Sequence, residues 1–137
     1  WTPIAGLSAT NVANPIATPT ATIDYIVETS NSGTCSGRDT IRVIVNDLPT
    51  AFAGNDTIVC GGDSVQLNAT GGVTYAWAAS TSLSDTSIAN PIARPNGSAT
   101  YVVTVTNGSG CTNSDDILVS IANPPTVTLG SSEDSIC

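Results

Sequence analysis

The sequence predicts an all-β protein made of two-layer β-sandwiches repeated in tandem with a period of about 76 residues. Three observations carry that expectation. Charged residues make up only 10% of the 137, with no His and no Met, while Thr, Ser, Asn, Ala and Val dominate; Thr and Val are strand formers, and Asn and Ser, with Gly and Pro, are turn formers. The chain also repeats itself: shifting it by 76 pairs Trp1 with Trp77, Tyr25 with Tyr101, Cys35 with Cys111 and Pro49 with Pro125, and "NPIATP" (14–19) with "NPIARP" (90–95). Residues 1–49 and 77–125 share 18 identities in 49 gap-free positions, which marks true self-similarity. Finally, apolar residues alternate with polar ones over short runs bounded by Gly, Pro and Asn.

The complete repeat, residues 50–125, reads as about seven short strands. "DTIVC" (56–60) is the first, and in "SVQLNA" (64–69) Val65 and Leu67 alternate with polar residues. A Gly71-Gly72 turn precedes "VTYAW" (73–77), and "SLSDTSIANPIARP" (82–95) reads as short edge segments interrupted by proline. "ATYVVTVT" (99–106) places Tyr101, Val103 and Val105 on one face; "NGSG" (107–110) is a hairpin turn; "DDILVSI" (115–121) turns Ile117, Val119 and Ile121 inward. With a Trp on the third strand this is the pattern of an immunoglobulin-like sandwich. Its expected core includes Trp77, Tyr101, Val103, Val105, Ile117 and Val119.

Residues 1–49 then form a partial repeat lacking its first strands, and 126–137 form the first strand of a following repeat, Cys137 answering Cys60. The chain opens at Trp1 without Met or signal peptide, as a cleavage point or a window onto a longer polypeptide would. "NDLPTAFAG" (46–54) and "ANPPTVTLG" (122–130) occupy equivalent places, and their prolines make short, semi-stiff joints.

Four cysteines and no histidine argue against a zinc site and for disulfides in an exported β domain. Each repeat holds one cysteine in its first strand and one after the hairpin turn, so a Cys60–Cys111 bridge within the repeat is expected, contributing about 4 kcal/mol. Cys35 and Cys137 are left over. Their partners either lie outside the chain or are each other, between chains, through donor-strand addition.

The net charge of −8 leaves Arg38, Arg42 and Arg94 as the basic side chains, with no patch for nucleic acid. No apolar run is long enough to span a membrane. Without His or Lys, and with Asp115 and Asp116 on opposite strand faces as a solvated pair, no catalytic constellation emerges and no enzyme is expected. No cofactor is implied; Asp56, Asp63 and Asp85 are candidate Ca²⁺ ligands, though not in a spaced acidic loop. Gly61-Gly62 and Gly71-Gly72 read as turns, and Trp1 and Trp77 as core residues rather than sugar platforms.

Taken together, "NDTIVCGGDSVQLNATGG", "YAW", "SLSDTSIANPIARP" and "TYVVTVTNGSGCTNSDDILVSI" resemble the tandem Ig/PKD-like repeats of giant bacterial cell-surface proteins. Such repeats occur in gliding-motility adhesins and other type IX secretion substrates. The "WDFGDG" signature of PKD domains is absent, Trp77 being followed by "AASTS". The resemblance implies an extracellular, surface-displayed filament, stalk or adhesin whose partners are neighbouring repeats, with surface glycans or proteins as further partners. It also implies O-glycosylation at Asp-Ser/Thr before an apolar residue, at Thr40, Thr57, Ser64 and Ser135. The expected role is structural, giving reach and mechanical stability. A ligand- or glycan-binding module of an adhesin or secreted hydrolase is the alternative, and a self-polymerising subunit a third.

Overall fold

A computed structural model describes residues 1–33, 35–123 and 125; the expectations for Ser135, Cys137 and the strand in 126–137 lie outside the described residues. The described chain is all-β, without a helix, and forms eight strands: β1 (Ile23–Ser30), β2 (Ser36–Val43), β3 (Thr57–Cys60), β4 (Val65–Gln66), β5 (Thr74–Trp77), β6 (Ile92–Ala93), β7 (Ala99–Thr106) and β8 (Thr112–Ala122). The chain divides into two compact units, Trp1–Asp47 and Leu48–Cys137.

The first unit is built on the antiparallel β1–β2 hairpin, in register from Ile23↔Val43 to Ser30↔Ser36. Backbone bridges Thr2↔Ile26 and Leu7↔Ala17 attach the preceding segment. Two exposed ion pairs, Arg38–Glu28 at 3.9 Å and Arg42–Asp24 at 3.6 Å, join directly opposed hairpin residues. Exposed pairs of this kind contribute little. Tyr25 is buried, its hydroxyl donating to the Ala5 carbonyl at 2.6 Å.

In the second unit a four-stranded sheet has the order β3-β8-β7-β5. The β7–β8 hairpin is antiparallel and β5 adds antiparallel to β7, but β3 runs parallel to β8, from Thr57↔Val119 to Cys60↔Ala122. A smaller layer pairs β4 with β6 antiparallel and is extended by the Leu83↔Ala93 and Phe52↔Thr70 bridges. Both layers face one core. Val103, Val105, Ile117 and Val119 come from the large sheet with Trp77 and Tyr101; Leu67, Ala69 and Ala93 come from the other side. Alternation along β7 and β8 explains this directly, since successive side chains leave opposite faces of a strand. The core tryptophan is also satisfied as a donor, its Nε1 reaching the Ile88 carbonyl at 2.9 Å.

Local contacts recur at the 76-residue shift. Trp1 Nε1 donates to the Val12 carbonyl at 3.0 Å, as Trp77 does to Ile88. The Ile16 N–H reaches the Ser8 hydroxyl at 2.9 Å, and the Ile92 N–H reaches Ser84 at 2.9 Å. So "NPIA-x-P" marks a corner pinned by the same serine contact in both units. In the second, Pro91, Ala93 and Pro95 are buried. The turn is shared too: Asn31 N–H to the Cys35 carbonyl, Asn107 N–H to the Cys111 carbonyl.

Candidate functional site: the two ends of the second unit

The parallel β3–β8 pair gives the second unit two distinct ends. The incoming segment is fastened near the β7–β8 turn: the Asn113 side-chain amide donates to the buried Pro49's carbonyl at 3.0 Å. It is then stitched along β8. The Ala53 N–H donates to Asp115 Oδ2 at 2.8 Å, and the Leu118 N–H donates to Asp56 Oδ1 at 2.9 Å. Beyond these stitches β3 takes up its ladder and ends at Cys60, beside Ala122, where β8 ends as well. The chain therefore comes in at one end and leaves at the other.

This placement corrects the expected Cys60–Cys111 bridge. Cys111 immediately precedes β8 at the turn, whereas Cys60 sits beside its last residue. The eleven residues of β8 separate the two ends by about 35 Å at some 3.3 Å per residue. A disulfide requires Cα atoms roughly 4.4–6.8 Å apart. No bridge joins them, and Cys60 and Cys35 are exposed thiols. The half-buried Cys111 is held by its turn, its N–H donating to Asn107 Oδ1 at 3.0 Å.

The carboxylates divide by environment. Asp116 is exposed, but Asp115 is half-buried and works as the acceptor for Ala53, not as one of a solvated pair. The sequence held a signal for this, because an Asp recurs at the same place in Asp39. Asp85 Oδ1 accepts the Ser87 hydroxyl at 2.6 Å and the Ser87 N–H at 2.7 Å. The Ser87 hydroxyl, then its N–H, hold the Asp85 carboxyl below the usual aspartate range. Among the described residues no three acidic or thiol groups converge on a point that could hold a metal, and the Ca²⁺ candidates Asp56 and Asp85 are engaged by backbone N–H groups.

Of the glycosylation candidates, Thr40 and Ser64 are exposed and Thr57 is half-buried in β3. Tyr25, Trp77 and Tyr101 are buried, Trp1 and Tyr75 are half-buried, and Phe52 is 44% exposed. The first unit carries an apolar groove of about 300 Å³ lined by Trp1, Leu7, Ala17, Tyr25, Ile41 and Val43. Its Ile41 is 54% exposed, whereas the counterpart Ile117 is 4% exposed under the segment 51–69. No helix among the described residues is long and apolar enough to cross a membrane.

No family model matches the chain, and no curated protein matches it.

Proposed function

We propose that the chain is a non-catalytic, load-bearing stretch of tandem Ig/PKD-like repeats from a secreted bacterial surface filament, stalk or adhesin, each repeat adding a fixed length. The observation that carries this reading is the parallel pairing of β3 with β8, the strands by which the chain enters and leaves the second unit. Tension on the two ends pulls these strands past one another along their axes. Four register pairs and the Asp56 and Asp115 stitches then resist together, instead of opening one at a time as in a hairpin pulled from its open end. The 76-residue recurrence of corner and turn contacts supports the tandem arrangement, in which each domain meets only its neighbours. Low charge variety and an aromatic content of 4% leave little with which to build an active site or a sugar platform.

The test is length. Chains carrying one, two and four copies of residues 50–125 are compared by small-angle scattering. The maximum dimension is expected to grow by one constant step per copy, about 35–45 Å from the rise of β8 and a short joint. Copies that collapse onto one another without lengthening the particle would refute the reading.

A further inference from the structure

The two cysteine positions stand at opposite ends of the second unit, and each position is written twice in the sequence: Cys60 with Cys137, Cys35 with Cys111. We propose that the cysteine closing β3 of one repeat is bridged to the turn cysteine of the repeat that follows, so that disulfides staple consecutive repeats across their junctions. The proposal rests on the tandem-repeat reading above.

Connectivity brings the two cysteines to the same junction. Cys60 lies beside Ala122, and Pro125, the counterpart of Pro49, comes only three positions after Ala122. Three residues span at most about 11 Å. In the second unit the Pro49 carbonyl is held by Asn113, two residues from Cys111. A following repeat built alike must therefore present its turn cysteine close to the end of this one, where Cys60 is exposed at the limit of β3. A bridge within one repeat would instead need to cross the length of β8. The same rule assigns Cys111 to the first-strand cysteine of the repeat before it.

Bridge formation removes one proton and one electron from each of the two thiols. An oxidised disulfide of the glutathione or dithiol-oxidase class accepts the pair of electrons and is released as two thiols. This chemistry suits an exported protein.

The experiment uses residues 1–125 followed directly by a second copy of 50–125, equilibrated at low protein concentration in an oxidised/reduced glutathione buffer. Peptide mass spectrometry without reduction is expected to find the first copy's Cys60 linked to the second copy's Cys111, two hydrogens lighter than the separate peptides. Cys60→Ser in the first copy should abolish that peptide and leave the scattering profile in reductant unchanged. A Cys60–Cys111 link within one copy, a link between chains, or an alkylatable first-copy Cys60 would overturn the staple. If scattering still shows one length step per copy in those cases, the tandem reading survives; if the step is missing too, both fail.

Discussion

Two aspartates show how single side chains set the frame. Asp115 accepts the Ala53 N–H from a half-buried position, so Asp115→Ala leaves a buried donor unsatisfied and should cost about 1–3 kcal/mol. Asp115→Asn keeps an oxygen there and should cost less. Urea unfolding checks both, as a lowered midpoint with unchanged slope; equal stability of Asp115→Ala and the parent would remove the stitch from the account. Asp85 predicts a pH effect. Its folded pKa is lowered, first by the Ser87 hydroxyl and then by the Ser87 N–H. Its contribution is therefore fully present above the ordinary aspartate pKa of about 3.9 and is lost as pH falls through the lowered folded value. A carboxyl NMR titration should find Asp85 below the ordinary aspartate range, and Ser87→Ala should move it back toward that range. An unchanged midpoint in Ser87→Ala would assign the shift elsewhere.

At the scale of elements, one substitution placed twice separates position from chemistry. Ile117 and Ile41 are counterparts, yet one is 4% and the other 54% exposed. Ile117→Val should cost about 0.5–1.5 kcal/mol, whereas Ile41→Val should stay within about 0.5 kcal/mol. Amide exchange in β8 and in β2 reads the two separately, and equal losses would contradict the difference in cover. Turns allow a similar comparison. Gly62 has φ +91° with open space around it; Gly71 has φ +105°, and a Cβ there would fall on the Thr50 carbonyl. Gly62→Ala should cost about 1–2 kcal/mol, and Gly71→Ala clearly more, both measured by thermal melts. The core residues, the hairpin and the repeated corner were legible in the sequence, because alternation and turn residues are local properties. The cysteine pairing was not. Two cysteines per repeat are visible in the letters, but the alignment of β3 with β8 is a choice of sheet order. A parallel match places Cys60 beside Ala122 and Cys111 at the far end. Asp115 escaped for the same reason, since its partner Ala53 is 62 residues away.

Over a whole array, the covalent wiring determines how far it can stretch. Without bridges, each repeat pays out 76 residues, about 260 Å at roughly 3.5 Å per residue. A bridge inside each repeat would leave the 25 residues of the Cys35-to-Cys60 spacing, about 90 Å per repeat. Staples across junctions change the route. From a turn cysteine the path runs up β8, through the joint and along the next β3 to its cysteine, then crosses the bridge to a third repeat. Those 25 residues now serve two repeats, so the taut limit is about 45 Å per repeat. That is close to the folded rise of a strand the length of β8 plus a joint. A stapled array is thus already almost fully drawn out along its load path, and tension passes through extended strands and sulfur bridges instead of unfolding the sandwiches. Single-molecule stretching of a multi-repeat chain should therefore reach its contour limit near 45 Å per repeat when oxidised and near 260 Å after reduction. A limit near 90 Å would restore the bridge within the repeat, and 260 Å without reductant would mean that the cysteines carry no load.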